Sequence, residues 1–287
     1  MDLALPLPKT AAPEEVLAVA LARLQTGARV ALATVLKRKG SAPSTPGQKL
    51  ALLAADEAIG TVGGGAVEQR VMQAMLAAIS GDASEPQVLH YDLGVKLGMC
   101  CGGSVEILVE VLEPAVSVVI VGAGHVGGAL APLLANLGFR VTLCDARDEV
   151  AARFESSSGT FLQSDHDDPE VGRAAGDPRR AAALVMTHDH QLDQAAIEWA
   201  LRQRFAFVGG VGSLAKAHRT RARLEAKGFS ADDVERMRMP LGMEIHARLP
   251  AEIAVAIAGE LVKWRAHLLG TDRRHKKHDH ASAAAEE

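Results

Sequence analysis

The chain has 287 residues, 48% of them hydrophobic and only 3% aromatic, with a formal net charge of −4 at neutral pH. That length implies two domains of ordinary size, each able to bury its own core. The mild acidity and the scarcity of rings exclude a nucleic-acid binder built on basic grooves and stacked bases.

The opening "MDLALPLPKTAAPEE" has no basic segment leading into an apolar one, so no signal peptide is expected. No run approaches the roughly 18 apolar residues of a transmembrane helix, and no membrane contact is expected. The three cysteines, Cys100, Cys101 and Cys144, are too few for a disulfide framework and point to a reducing cytoplasm.

In chain order, residues 14–26 carry helical periodicity that Gly27 closes, and "RVALATVLKR" (29–38) reads as a strand. The Gly-, Pro- and Ser-rich "KGSAPSTPGQ" (39–48) is a loop. "KLALLA" and "AIGTVGGG" read as two short strands, followed by a helix over 67–79 and strands at 87–93 and 104–112. Residues 1–113 thus form an α+β domain.

After the join "EPAVS", strands at 117–122, 140–145, 160–163, 182–188 and 205–210 alternate with helices near 126–137, 191–203 and 213–226. A final amphipathic helix is expected over 251–268, just after Pro250. The expected class is α/β: an N-terminal α+β domain, then a Rossmann-like doubly wound parallel-sheet domain over 114–272. Residues 273–287 read as a disordered charged tail. Its His275, His278 and His280 either catch loose metal ions or are simply solvated.

The stretch "VVIVGAGHVGG" sets Gly122, Gly124 and Gly127 as G-x-G-x-x-G between a strand and a helix, with Asp145 closing the next strand. In that context the first glycine permits a tight turn, the second lets a pyrophosphate approach the backbone, and the third lets helix and strand pack closely. Asp145 would accept from a ribose, which makes NAD(P) a candidate ligand. Arg147 meets a ribose phosphate, another phosphate, or nothing. The alternative is a Rossmann scaffold kept for its shape. Cys144, on the opposite side of its strand from Asp145, is expected in the core.

"MTHDHQLD" ends the strand expected beside the first of the sheet and so faces the ligand crevice. His188 and His190 there suit one metal ion, or Asp189 caps the next helix. "VGGVGS" (208–213) sets a second glycine-rich turn ahead of a helix, where an anion could sit.

Cys100 and Cys101 adjoin at the mouth of a strand. Adjacent cysteines join only through a strained ring, and no second ligand pair stands at zinc spacing. A thiolate there suits a soft metal or sulfur chemistry, or the pair is buried at a tight turn. Gly102 and Gly103 remove side chains that would block a bulky ligand. Gly63, Gly64 and Gly65 in "TVGGGAVE" precede a helix whose N–H groups could cradle a phosphate or pterin, and "LKRKGSAPS" supplies cations and hydroxyls.

The order "KGSAPSTPG", "GTVGGGAVE", "CGGSVEILVE", "VGAGHVG", "THDH", "VGGVGS" and "PLGMEIHARLPAEIAVAI", running from about residue 29 to 265, resembles the xanthine dehydrogenase accessory proteins of the XdhC/CoxI family. The resemblance implies a cytoplasmic chaperone, not an enzyme, that binds the molybdenum cofactor (Moco) in its molybdopterin form. It implies that a cysteine desulfurase replaces an oxo ligand by sulfido, and that the cofactor is then delivered to xanthine dehydrogenase. Cys101 matches the family's C-G-G cysteine and would contact the cofactor, with molybdenum itself as one candidate partner. A homodimer is expected by family habit.

Two other readings stand beside it. One is an NAD(P)-dependent oxidoreductase with His188 or His190 as proton donor. The other is a metal-assisted hydrolase at "THDH".

Overall fold

A computed structural model describes residues 5–81, 85–93, 103–151 and 159–270. The chain divides into two compact units, Met1–Ala115 and Val116–Glu287.

In the first unit, helix α1 (Pro13–Gln25) leads to strands β1 (Val30–Lys39), β2 (Lys49–Ala54) and β3 (Glu57–Gly60). Helix α2 (Gly65–Ser80) precedes β4 (Gln87–Asp92) and β5 (Ser104–Leu112). The antiparallel sheet runs β3-β2-β1-β5-β4. Alternation along β1 sends Ala31, Ala33 and Val35 to the face covered by α2, and Val30 and Leu32 to the face covered by α1. Residues 61–65, which the sequence pattern extends into a strand, leave the ladder after Gly60 and form the turn into α2.

Near its end β1 carries a bulge. Val35 pairs with Ile107, but the next aligned residue is Lys37, opposite Glu106. Strict alternation would turn Lys37 into the α2-side core beside Val35. The extra residue, Leu36, shifts the parity and sets Lys37 and Lys39 on the other face, across from Glu106 and Ser104. Burying a lysine in that core is thereby avoided.

The second unit contains β6 (Ser117–Val121), α3 (His125–Asn136), β7 (Arg140–Cys144), α4 (Asp148–Ala151), β8 (Thr160–Leu162) and α5 (Pro169–Ala175). It continues with β9 (Ala181–Val185), α6 (His190–Arg202), β10 (Phe207–Gly210), α7 (Leu214–Ala226), α8 (Ala231–Arg236), β11 (Met237–Arg238) and α9 (Pro250–Leu268). The sheet is parallel throughout, in the order β11-β10-β9-β6-β7-β8. This is the expected doubly wound sheet, with β9 beside β6. All five residues of both β6 and β9 are buried, as central strands covered on two faces require.

One face packs against α5, α6, α7 and α8 through Val171, Ile197, Leu224 and Val234, among others. The other packs against α3 and α9 through Leu130, Leu134, Ile257 and Leu261. No helix among the described residues is long and apolar enough to cross a membrane.

Glycine placement decides how α3 meets the sheet. A Cβ on Gly127 would overlap the Gly122 carbonyl, whereas one on neighbouring Gly128 would meet only the Ala123 carbonyl at 4.0 Å. Gly127→Ala is therefore expected to lower stability by about 2 kcal/mol or more. Gly128→Ala should raise it by about 0.5–1 kcal/mol through helix propensity. Urea unfolding of the two variants checks this contrast.

Candidate functional site

Each unit carries one candidate site. In the first, the ends of β1, β4 and β5 come together. The Leu93 amide donates to the Gly103 carbonyl at 2.7 Å, one step beyond the Asp92–Ser104 pair that ends the ladder. Cys100, Cys101 and Gly102 lie between these two points and outside the described residues. Gly103 is fixed by contact: a Cβ there would come within 2.5 Å of the Lys39 carbonyl and 2.6 Å of the Ser41 carbonyl.

On the open end of the sheet, two cross-strand rows share one face, Lys37–Glu106–His90 and Lys39–Ser104–Asp92. Glu106 lies 3.3 Å from Lys37 Nζ and 3.9 Å from His90 Nδ1, exposed contacts that add little stability. These residues, with Leu36, Pro46 and Tyr91, line a cavity of about 340 Å³.

The second glycine motif meets the same loop. Ser44 is buried and its Oγ donates to the Val62 carbonyl at 2.6 Å. Gly63 has φ of 122°, and a Cβ on it would overlap that hydroxyl. The loop after β1 therefore touches Gly103 through Lys39 and Ser41, and Gly63 through Ser44. Arg38 steadies it by donating to the Ala42 and Ser44 carbonyls.

Gly64 and Gly65 face open space. The turn is partly self-satisfied, because Glu68 accepts from Thr61 Oγ1 at 2.5 Å and from the Val62 amide at 3.2 Å. That carboxylate already places a negative charge at the α2 N-terminus.

In the second unit the crevice lies at the C-terminal ends of β6, β7 and β9. Gly122 adopts φ of 107°, and a Cβ there would stand 2.5 Å from the Met186 carbonyl, so the turn hugs the end of β9. Gly124 faces open space, as close approach of a ligand to the backbone needs.

Asp145 is already engaged. Its Oδ1 accepts from the Arg147 amide at 3.1 Å and from Arg147 Nε at 2.9 Å. Its Oδ2 accepts from the Ala123 amide at 2.8 Å and from Arg147 Nη2 at 2.7 Å. Burial raises the Asp145 pKa, but these hydrogen bonds and the guanidinium charge outweigh it and hold the carboxyl below its ordinary range. The pairing in turn raises the Arg147 pKa.

The residues around this carboxylate, with Ser164, His166, Thr187 and His188, line a cavity of about 80 Å³. Cys144 is buried as expected. Its thiol is pushed up to about 12 by burial, with the charges of Asp145 and Asp165 adding to the shift.

At the "THDH" turn, β9 ends at Val185, before the histidines. Asp189 caps α6, accepting from the Gln191 and Leu192 amides. His188 and His190 are exposed, and among the described residues no group of three or more His, Cys, Asp or Glu gathers to hold a metal ion. His275, His278 and His280 lie outside those residues.

The organising residue is Asp193. Its Oδ1 accepts from the Thr187 amide and hydroxyl at 2.9 and 2.7 Å, and its Oδ2 pairs with Lys216. Lys216 Nζ also donates to the Val211 carbonyl at 3.0 Å, so the turn proposed for an anion holds a cation from its own helix.

Two family models match the chain. A model described as the XdhC Rossmann domain matches residues 118–261, and one described as the XdhC and CoxI family matches residues 23–92. The chain belongs to the XdhC and CoxI family. YqeB, an uncharacterised protein of Escherichia coli K12, is 28% identical over 238 residues, covering 81% of this chain and 43% of the relative. A Bacillus subtilis protein, named as a probable component of xanthine dehydrogenase, is 28% identical over 173 residues, covering 56% of this chain and 46% of the relative. The chain thus spans less than half the length of these two curated relatives. A crystal structure of a xanthine dehydrogenase from Bacillus halodurans aligns with a TM-score of 0.45 at 16% identity, over 86% of this chain and 95% of that one.

In this member of the family, sequence reasoning missed Glu68 and the Asp193–Lys216 pair, and it offered the hydroxyls of residues 36–44 to a ligand where Ser44 instead donates to the Val62 carbonyl. The signals available were a glutamate in the first turn of α2 and a lysine in the first turn of α7.

Two measurements test this description. Lys216→Met leaves Asp193 buried without its cation and should cost about 3 kcal/mol in urea unfolding; a change near zero would contradict the clamp. In a Cys100→Ser/Cys101→Ser background, Cys144 should resist iodoacetamide at about pH 8 until the chain is unfolded. Ready alkylation of the native protein would contradict its burial.

Proposed function

We propose that the chain is a cytoplasmic maturation factor for xanthine dehydrogenase. It holds Moco, exposes it to a cysteine desulfurase for sulfuration, and inserts it into the target enzyme. It turns over no substrate of its own. Membership of the XdhC and CoxI family supports this reading, as does the Bacillus subtilis relative named for xanthine dehydrogenase.

The observation that carries it is the meeting of three motifs in the first unit. The loop after β1 contacts both Gly103 and Gly63, beside a cavity of about 340 Å³ edged by Lys37 and Lys39. That volume is ordinary for a small-molecule site. Lys39, with Lys37 beside its partner Glu106, suits the phosphate of a molybdopterin, and the open backbone at Gly64 and Gly65, in the turn that the same loop touches, admits a flat polar ring. On this reading Cys101 brings a thiolate to the molybdenum, a metal that molybdopterin already holds through sulfur ligands. Moco would arrive as cargo, have one oxo ligand replaced by sulfido through the desulfurase, and leave for the target enzyme, so the chain's own residues bind and shield it.

The test incubates the purified full chain with freshly released Moco, desalts it, and assays retained molybdopterin through its fluorescent oxidation product. Near-stoichiometric retention by wild type, falling about tenfold or more in Cys101→Ala, is expected. Equal retention by both would remove Cys101 from the site, and retention by neither would remove the carrier function.

A further inference from the structure

The second unit has the glycine geometry of a dinucleotide site but not a receptive ribose subsite. Gly122 and Gly127 are forced by contact, and Gly124 is open to an approaching phosphate. The acid that would receive the ribose is Asp145. A carboxylate offers about four lone-pair positions, and here four donors take them at 2.7–3.1 Å. Two of the four come from the Arg147 side chain, one on each oxygen. A ribose diol needs one acceptor position on each oxygen, and those are the two that the guanidinium fills.

We infer that Arg147 is a built-in occupant of the ribose subsite, a specificity-determining residue that bars NAD-type dinucleotides from the Rossmann crevice. This inference is independent of the cofactor-carrying reading of the first unit. Three features of the geometry give it force. The pair is two residues apart in sequence, so the guanidinium returns to the carboxylate over a short tether at little entropic cost. The Asp145 side chain is 6% exposed and that of Arg147 is 29% exposed, so the contact is screened from solvent on the carboxylate side. Finally, the remaining two donors are the backbone amides of Ala123 and residue 147. They keep the carboxylate aimed into the crevice whatever side chain stands at position 147.

Arg147→Met is therefore the informative change. It retains both backbone donors, preserves the aliphatic bulk, and leaves one acceptor position vacant on each oxygen. Calorimetric titration of full-length wild type, Arg147→Met and Arg147→Lys with NAD, ADP-ribose and NADP tests the inference, with thermal melts to verify folding. Arg147→Met should bind NAD and ADP-ribose about tenfold or more tightly than wild type, the worth of one charge-assisted hydrogen bond regained. Arg147→Lys, with a single terminal donor group, should fall between them, and it carries the test if the methionine variant does not fold. Binding of NAD no tighter in either variant than in wild type would overturn the inference. So would NADP binding by wild type that is lost in Arg147→Met, because Arg147 would then be reading a 2′-phosphate.

Discussion

Four hydrogen bonds converge on the Asp145 carboxylate, and the local architecture of the second unit follows from them. One ties the end of β7 to the turn after β6 through the Ala123 amide, so the glycine turn and the neighbouring strand end are held as one piece. Two more recruit the guanidinium of Arg147 into a contact that neutralises a largely buried charge. An unpaired carboxylate at this depth would be costly, and the arginine removes that cost without a ligand. The crevice is consequently self-satisfied. Across the same crevice, Asp193 does comparable work with Thr187 and Lys216 and joins the turn after β9 to the turn after β10. Both loops that a nucleotide would be expected to order are thus already ordered by ion pairs of the chain itself.

In the first unit the decisive element is backbone rather than charge. The bulge at Leu36 turns two lysines out of the core and onto the open end of the sheet, beside the strand ends that flank Cys101. The loop that follows packs its own carbonyls against Gly103 and its Ser44 hydroxyl against Gly63. These glycines are required because backbone and side-chain atoms occupy the space where a Cβ would stand. Sequence motifs more than twenty residues apart therefore become neighbours through one short connection. The first unit leaves the backbone of Gly64 and Gly65 open and sets two lysines at the open end of its sheet, while the second fills the acceptor positions of Asp145 from within.

Much of this was legible in the sequence. Five-residue runs of β-branched and small apolar residues identify central parallel strands, and G-x-G-x-x-G at a strand-to-helix turn places the crevice and puts β9 beside β6. The opposite orientations of Cys144 and Asp145 follow from alternation, and Cys144 is buried accordingly. What was not legible depends on choices that pattern does not encode. Val35 to Lys37 reads as ordinary alternation, and only the pairing with β5 reveals the extra residue. Gly63, Gly64 and Gly65 follow an apolar run, but their left-handed backbone makes a turn rather than a strand. Arg147 had several plausible partners, and the one it takes is set by side-chain rotamer. Lys216 meets Asp193 across two strand-to-helix turns, a contact for which neither local sequence gives a sign. The short α4, α5 and α8 fall below the length at which helical periodicity stands out.

On the proposed reading, cargo binding belongs to the first unit and a closed crevice to the second, and hydrogen–deuterium exchange with and without Moco tests that division most directly. Added Moco should slow exchange in peptides spanning residues 36–48, 61–68 and 87–106 while residues 122–128 and 145–147 are unchanged. Protection confined to the glycine turn after β6 and to Asp145–Arg147, with the first unit unaffected, would contradict it.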